Sequence, residues 1–261
     1  MGEVIPKKSL GQHWLHDKAT LQAICDSAEV GPKDTVLEIG PGLGTLTKLL
    51  VAQAESVVAV EFDPILAANL GNHVSAGNLQ VVHQDILSFD LTSLPAGYKV
   101  VANIPYYLTS NLVRVLSESS NPPSTAVLLI QKEVAERVCA KAGAMSILSV
   151  TAQYYWETSL GQLVPAELFT PPPKVDSQVL ILHRHEWPLF EDVDAKQFFR
   201  LVKAGFSQKR KTLVNSLSAG LSISKEGAKI LLDAANIPQN TRAQALSLED
   251  WYNLYQASQN T

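Results

Sequence analysis

An amide side chain stands immediately before a proline and two tyrosines in residues 100–112, VVANIPYYLTSNL. The exocyclic amine of a nucleobase is a poor nucleophile because its lone pair is delocalised into the ring. Two acceptors for its hydrogens, the Asn103 amide oxygen and the Ile104 carbonyl, would favour a pyramidal nitrogen and direct the lone pair at an electrophile. Pro105 stiffens this turn, and Tyr106 offers a flat face on which a base can stack. The segment therefore predicts a site for group transfer to a nucleobase amine, the alternative being a capping Asn and a buried Tyr.

Three closely spaced glycines follow an earlier apolar run, in the sequence EIGPGLGTLT. Gly40, Gly42 and Gly44 let the backbone come close to a ligand, and the helix that follows offers unpaired N–H groups. The dinucleotide fingerprint is G-x-G-x-x-G, and here Thr45 stands where its last glycine belongs. This spacing disfavours a pyrophosphate loop and leaves a cofactor of nucleoside size without phosphates, with simple tight turns as the alternative.

Acidic residues end the next two apolar runs. Glu61 lies in VVAVEFD, about 20 residues beyond the glycines, where a carboxylate can accept both hydroxyl hydrogens of a ribose. Asp85, in HQDIL, can accept from an adenine amino group while an adjacent backbone N–H meets a ring nitrogen. A solvated acid is the alternative for Glu61, and helix capping explains Asp85 equally well. Three strand ends in register are a stronger signal than any one of them.

These residues need a parallel sheet to bring them together, and the hydrophobic pattern predicts one. Six apolar runs are rich in Val, Ile and Leu and mostly lack strict alternation, as strands covered on both faces do. With helical patterns between them, this order predicts an α/β fold with a doubly wound, mostly parallel sheet. The predicted strands are residues 35–40, 56–63, 79–85, 98–105, 125–131 and 178–185. The predicted helices are residues 44–54, 64–74, 110–119, 132–142 and 146–156.

The pattern changes after residue 187, where only helical segments follow. They are residues 195–206, 210–221, 224–236 and 247–258. We therefore predict two domains, a catalytic domain over 1–187 and a small all-helical domain over 188–261.

The net charge of −4 argues against a nucleic-acid partner, but the charges are unevenly distributed. No acidic residue occurs between Asp194 and Glu226. The basic residues in that interval are Lys196, Arg200, Lys203, Lys209, Arg210, Lys211 and Lys225. We define these residues as the basic face, for which a solvated charge run is the usual alternative explanation.

Several other classes of protein are disfavoured. Cys25 and Cys139 lie far apart without CxxC or Cys/His spacing, which predicts two buried thiols in a reducing compartment and no metal site. The first residues, MGEVIPKK, lack the apolar region of a secretory signal. No apolar run approaches the roughly 20 residues of a membrane span. We expect a soluble, cytoplasmic protein with no membrane partner.

The motifs together resemble those of the small-subunit ribosomal RNA adenine dimethyltransferases, the family associated with kasugamycin sensitivity. The matching segments follow the family's order and cover nearly the whole chain. They are residues 7–17, 36–47, 60–63, 84–87, 103–112, 131–138, 169–177 and 206–217.

The resemblance implies a Rossmann-like class I methyltransferase with S-adenosyl-L-methionine as cofactor. Its implied reaction is transfer of methyl groups to N6 of two adjacent adenines near the 3′ end of small-subunit ribosomal RNA, during ribosome biogenesis. The implied partner is the RNA of the pre-assembled small subunit, and the implied state is a monomer. A related large-subunit adenine methyltransferase of the macrolide-resistance type, or a non-catalytic RNA-binding or transcription-associated protein on the same scaffold, remains the alternative.

The resemblance also implies roles for individual residues in holding the cofactor. The GQ segment before the first helix covers it in this family, so His13 and Leu15 become contacts, although His13 and Trp14 stand where Asn and Phe are commonest. The remaining implied contacts are Gly40 and Gly42 to the methionine part, Glu61 to the ribose, Asp85 and Ile86 to the adenine, and Asn103 to both cofactor and target.

Two further regions are implied to contact the RNA. In the ELFTPPPKVDS segment, Phe169 would pack against the flipped base and Lys174 would meet phosphate, the alternative being a structural loop. Four residues of the basic face would hold the RNA backbone. They are Lys203, Lys209, Arg210 and Lys211.

Overall fold

The computed structural model describes residues 6–7, 11–190 and 192–260, which form two compact units. The described part of Met1–Ala135 joins Glu157–Arg184 in the first unit, and Glu136–Trp156 joins the described part of His185–Thr261 in the second. This division differs from the predicted boundary near residue 187. The reason is that Val150 and Tyr154 pack into the hydrophobic cluster of the C-terminal helices, so their helix groups with those helices.

The described residues of the first unit contain a large sheet with the strand order β4-β3-β2-β5-β6-β9-β7. Strands β2 to β6 run parallel to one another, and β9 runs antiparallel to its neighbour β6. The bounds are β2 Thr35–Ile39, β3 Ser56–Glu61, β4 Leu79–His83, β5 Lys99–Asn103, β6 Thr125–Gln131, β7 Trp156–Val164 and β9 Ser177–Arg184. The predicted mostly parallel α/β sheet is confirmed, and β7 is an additional strand that the apolar pattern did not predict.

A second, two-stranded sheet joins two distant segments of the first unit. Strand β1, Trp14–Leu15, pairs antiparallel with β8, Phe169–Thr170, so that Leu15 faces Phe169. This pairing fixes the segment before the first helix against the loop that follows β7.

Helices surround the sheet in the first unit and form the second unit. The hydrophobic pattern did not predict helix α1, although its buried residues Leu21, Ile24 and Cys25 have helical spacing. The bounds are α1 Lys18–Ser27, α2 Thr47–Gln53, α3 Pro64–His73, α4 Thr109–Glu118, α5 Lys132–Val138 and α6 Ile147–Tyr155. The C-terminal helices are α7 Ala195–Phe206, α8 Leu213–Leu221, α9 Lys225–Ala234 and α10 Leu248–Gln259. The predicted all-helical C-terminal region is confirmed.

The core of the first unit lies between the sheet and helices α1 and α2. Ile24, Leu50 and Val101 are fully buried there and belong to one hydrophobic cluster. Cys25 is buried in the same cluster, whereas Cys139 is partly exposed, so the prediction of two buried thiols is correct for Cys25 only.

Two features are absent from the residues that the structure describes. No helix in them has the length and apolar character that crossing a membrane requires. The same part of the chain holds no group of three or more His, Cys, Asp or Glu side chains arranged to hold a metal ion.

Candidate functional site

A cavity of about 310 Å³ opens at the carboxyl ends of the parallel strands in the first unit. The chain passes from β2 through β3 to β4 on one side and places β5 on the other side of β2, so the strand order reverses between β2 and β5. Such reversal points are where open α/β sheets bind ligands, and the volume suits a small-molecule ligand. The segment from Gly11 to Leu15 and the residue Phe169 complete its wall.

The glycine loop between β2 and α2 forms one side of this cavity. Gly40 and Gly42 line it and have positive φ angles of 67° and 57°, which other residues rarely adopt. Gly44 serves packing instead, since a Cβ there would lie 2.8 Å from both Leu70 and Val74. The expectation of close backbone approach to a ligand therefore suits Gly40 and Gly42, but not Gly44.

Glu61 ends β3 inside the cavity rather than at an exposed tip. Its side chain is only 6% exposed, and burial raises the pKa of its carboxyl group. Oε2 accepts from the Gly42 N–H at 3.1 Å and Oε1 accepts from the Asp63 N–H at 2.8 Å. Each oxygen keeps a second lone pair, so the carboxylate can brace the glycine loop and still accept from a ligand. The alternative of a solvated acid at this position is therefore wrong, because the glycine loop folds over the carboxylate.

Asp85 and Ile86 lie together at the end of β4 and line the cavity. Asp85 Oδ1 accepts from the Leu87 N–H at 3.0 Å and thereby caps the short 3₁₀ helix Ile86–Ser88. Within the described residues, Oδ2 of this exposed side chain has no hydrogen-bond partner. The capping role is therefore real, and one carboxylate oxygen still remains for a ligand.

The end of β5 presents the amide and the aromatic ring. Asn103 Nδ2 donates to the His13 carbonyl oxygen at 3.3 Å, which leaves Oδ1 as the amide atom that can accept from a ligand. Ile104 and Pro105 line the cavity beside it. The Tyr106 hydroxyl is hydrogen-bonded to Ser177 Oγ at 2.9 Å, and burial raises the pKa of this phenol. The ring is therefore anchored at its far end.

His13 and Leu15 form the wall opposite the strand ends. His13 Nδ1 lies 2.7 Å from the Pro171 carbonyl oxygen and carries the hydrogen of that bond, because a carbonyl can only accept. The imidazole is stacked on the Tyr106 ring with centroids 6.0 Å apart and planes inclined by 21°. Leu15 is buried against Phe169 through the β1–β8 pair.

The proposed target-side residues after β7 lie in different environments. Phe169 lines the cavity but is only 3% exposed, because its ring packs in the core cluster with Leu15. Lys174 is exposed on the following loop and is outside the cavity lining. Base stacking by Phe169 and phosphate contact by Lys174 stay predictions.

Four basic residues of the second unit are solvent-exposed as expected. Lys203 lies in the last turn of α7. The turn between α7 and α8 contains Lys209, Arg210 and Lys211. This turn is closed by the Lys211 N–H, which donates to the Gln208 carbonyl at 2.9 Å. The predicted helix start at residue 210 was wrong, because α8 begins at Leu213. The three cations therefore precede the helix instead of occupying its first turn.

Sequence reasoning did not identify three further cavity residues. Phe62 and Tyr107 are 56% and 65% exposed, although both are large aromatic residues that line the cavity. Glu38 also lines it and is almost completely buried within β2. A charged residue inside the apolar run TVLEIG was a usable signal for Glu38, whereas the exposure of the two aromatic rings depends on tertiary structure.

Comparison with known proteins gives consistent matches over nearly the whole chain. The family model "Ribosomal RNA adenine dimethylase" matches residues 6–260. The "Ribosomal RNA small subunit methyltransferase A" of Dehalococcoides mccartyi strain 195 is 39% identical over 249 residues, covering 94% of this chain and 86% of that protein. The protein of the same name from Alkaliphilus metalliredigens is 41% identical over 260 residues, covering 95% and 90%.

Two solved structures share both units of the fold. A dimethyladenosine transferase from Plasmodium falciparum matches with a TM-score of 0.80 and 26% identity, covering 93% of this chain and 96% of that one. The 23S rRNA methyltransferase ErmE matches with a TM-score of 0.75 and 30% identity, covering 94% and 98%.

Proposed function

The chain belongs to the ribosomal RNA adenine dimethylase family and is an S-adenosylmethionine-dependent rRNA adenine dimethyltransferase, and we propose that its target is a pair of adjacent adenines near the 3′ end of small-subunit ribosomal RNA. Both adenines receive two methyl groups on N6, on pre-assembled small subunits in the cytoplasm, as a step of ribosome biogenesis. The small-subunit name of the relatives that are 39% and 41% identical supports the substrate. The convergence of Glu61, Asp85 and Asn103, from three strand ends, on one cavity supports the methyl-transfer site.

The cavity residues fit S-adenosylmethionine. Glu61 retains a lone pair on each carboxylate oxygen for the two ribose hydroxyls, and Asp85 Oδ2 can accept from the adenine amine. Gly40 and Gly42 allow the methionine part to approach the backbone. Together with His13, Leu15 and Ile86 in the walls, these are the residues that would hold the cofactor. When bound, it supplies an electrophilic methyl group on a positively charged sulfur.

Asn103 and Tyr106 would position the target adenine. The tether from Asn103 Nδ2 to the His13 carbonyl leaves Oδ1 to accept one N6 hydrogen, and the Ile104 carbonyl can accept the other. Pro105 stiffens this turn, and the Tyr106 ring, anchored through Ser177, provides the stacking face. The side chains act by orienting the amine, so this step needs no general base.

The basic face would hold the RNA backbone. Lys203, Lys209, Arg210 and Lys211 are exposed on a stretch of chain without acidic residues, which suits contact with phosphates. Phe169 and Lys174 are proposed to contact the flipped base and a nearby phosphate.

Large-subunit rRNA is the second candidate substrate, favoured by the similarity to the 23S rRNA methyltransferase. Small-subunit rRNA is preferred because the relatives that are 39% and 41% identical carry the small-subunit name. A non-catalytic RNA-binding protein does not fit, since the family is one of methyltransferases and the donor cavity is intact.

Radiolabelled methyl transfer tests the proposal. The substrates are small subunits from cells that lack this modification, the naked small-subunit RNA and large-subunit RNA, with an Asn103→Ala variant as the matched control. We expect label in the intact small subunits and a much lower rate with the variant. Preferential labelling of large-subunit RNA would establish the second candidate instead.

A further inference from the structure

Glu38 has a buried carboxyl group. None of the residues proposed above to hold the methyl donor is a hydrogen-bond partner of this group. It lies in the middle of β2 between Leu37 and Ile39, lines the cavity, and is 1% exposed. Its Oε2 is buried without a hydrogen-bond partner within the described part of the chain. Burying a polar atom without a hydrogen-bond partner costs free energy. Because this atom lies next to a ligand cavity, a bound ligand is the partner to consider.

No cation faces Glu38 from the described elements packed around it. The Cys25 thiol on α1 is close enough for the charge of Glu38 to affect it, and Glu61 on β3 is a second acidic residue near Glu38. In the sheet, its neighbours are Ala59 on β3 and Val101 on β5, both apolar. Without a cation, an ionised Glu38 would be an uncompensated buried charge.

Burial raises the pKa of Glu38 to about 8, and the nearby Glu61 charge adds to this rise. The Thr47 hydroxyl on α2 opposes it by proximity, although Thr47 Oγ1 lacks a partner with hydrogen-bond geometry in the described residues. In the ligand-free protein the carboxyl group is therefore mostly protonated at pH 7.

We propose that Glu38 is the countercharge that distinguishes the methyl donor from its demethylated product: it is neutral in the free enzyme and ionises when the sulfonium cation enters the cavity. The inference rests on the proposed use of this cavity for S-adenosylmethionine. An opposite charge nearby stabilises a carboxylate that burial alone would keep protonated. Donor binding therefore releases a proton from Glu38 to solvent.

The methyl-transfer step reverses the ionisation of Glu38. The N6 lone pair forms the new N–C bond while the S–C bond breaks, and that electron pair remains on sulfur as a neutral thioether. The positive charge passes to N6 and leaves as a proton. Glu38 then lies beside a neutral sulfur, takes up a proton again, and no longer favours the bound product, S-adenosylhomocysteine. The residue therefore biases exchange toward product release.

Proton-linked titration calorimetry tests this inference without any RNA. Wild-type protein is titrated with S-adenosylmethionine and with S-adenosylhomocysteine at pH 7, in buffers of different ionisation enthalpy. We expect close to one proton released per donor bound and clearly less for the product. In Glu38→Gln, which keeps the shape of the side chain, the difference between the two ligands should disappear. Equal proton release for both ligands in the wild type, or an unchanged difference in the variant, would overturn the proposal.

The pH dependence of the affinity ratio gives a second readout. In the wild type, preference for donor over product should rise with pH by up to about tenfold per unit and level off above a pH of about 8, where the free carboxyl is already ionised. The ammonium groups of both ligands also titrate, and they do so equally when the ligands bind Glu38→Gln. The affinity ratio measured with Glu38→Gln should therefore show only the pH dependence that comes from these ammonium groups. Identical pH profiles for the two proteins would contradict the assignment.

Infrared difference spectroscopy on the wild type keeps the test independent of variant folding. Donor binding should remove a protonated-carboxyl band that product binding leaves in place, and persistence of the band with the donor would refute the inference. Failure of the proposed RNA substrate would leave these binding results unchanged. Failure of both ligands to bind would instead remove the proposed use of the cavity.

Discussion

At the scale of single residues, Glu61 has two roles: it stabilises the glycine loop, and it is proposed to bind the ribose of the donor. Glu61→Ala removes the acceptor for both the Gly42 and Asp63 N–H groups as well as the proposed ribose contact. Since hydrogen bonds to charged groups contribute about 1.5–3 kcal/mol each, donor affinity should fall at least about tenfold. The thermal midpoint should fall too, because buried N–H groups lose their partner.

Calorimetry and thermal unfolding measure the two effects of Glu61 separately. Glu61→Gln is the matched control, since it keeps the side-chain shape and one acceptor oxygen. We expect it to recover only part of the stability and of the affinity, because its NH2 group cannot accept from the second of the two N–H groups. Unchanged donor affinity in folded Glu61→Ala would remove Glu61 from the site.

Asn103 should matter more for the rate than for donor binding. Asn103→Ala removes the acceptor proposed for the N6 hydrogen, together with the tether to the His13 carbonyl. Loss of an interaction made to the reacting amine lowers the rate at saturating substrate. Single-turnover methylation should therefore slow markedly, while donor affinity, measured by calorimetry, should fall by a smaller factor than the rate. A wild-type single-turnover rate would show that the amide does not position the amine.

The ring of Tyr106 and its hydroxyl have separable roles. Tyr106→Ala should slow methylation, because stacking of a base on an aromatic ring contributes about 1–3 kcal/mol. Tyr106→Phe keeps the ring and should methylate at nearly the wild-type rate, but it leaves the buried Ser177 hydroxyl without its partner. Its free energy of unfolding should therefore fall by about 1–3 kcal/mol.

Denaturant unfolding of Tyr106→Phe and of Tyr106→Phe with Ser177→Ala tests this separation. The double variant removes both polar partners and should recover part of the lost stability. A strong methylation defect in a stable Tyr106→Phe protein would show that the hydroxyl itself takes part in the reaction.

At the scale of elements, the approach of α8 to α7 depends on a glycine. A Cβ at Gly220 would lie 2.7 Å from both the Cα and the Cβ of Ala204. Gly220→Ala should therefore destabilise the protein by about 1–3 kcal/mol, because overpacking forces the helices apart. Gly227 in α9 is the matched control, since a Cβ there meets nothing closer than Ser224 Oγ at 3.4 Å. Gly227→Ala should be neutral or stabilising by up to about 1 kcal/mol, and equal effects in denaturant unfolding would contradict the packing argument.

The elements also show how far the sequence determines the fold. Strands β2, β3, β5 and β6 were predictable because both faces are covered and the runs are almost wholly apolar. The edge strand β4 is only partly buried, and its apolar run was still long enough to predict it. Strand β7 was not, since most of Trp156–Val164 is exposed and has no continuous apolar pattern. The grouping of α6 with the C-terminal helices depends on contacts of Val150 and Tyr154 with residues far along the chain.

The site was predictable to a similar extent and for a related reason. Parallel strands end at one edge, so Glu61, Asp85 and Asn103 could be brought together from strand order alone. Burial could not be inferred this way. The enclosure of Glu61 by the Gly42 N–H, and the packing of Phe169 against Leu15, come from loops whose paths the local sequence does not fix.

At the scale of the whole molecule, an acidic protein must hold a polyanion through a local basic face. Replacing Lys209, Arg210 and Lys211 by Gln should weaken RNA binding and flatten its salt dependence by about one unit of slope per lost phosphate contact. Donor affinity should not change, since none of the three lines the cavity. RNA affinity measured across a salt series gives this slope. Lys229→Gln in α9 is the control, since Lys229 does not belong to the basic face. An unaltered slope would place the RNA on another surface.

The positions of the added methyl groups distinguish the proposed reaction from its alternatives. Small subunits from cells lacking the modification would be incubated with the enzyme and S-adenosylmethionine, and their RNA fragments mapped by mass spectrometry. We expect N6,N6-dimethyladenosine at two adjacent positions near the 3′ end with wild-type enzyme, and strongly reduced modification with Asn103→Ala. Methylation at a single adenine, at another atom or elsewhere in the RNA would contradict it.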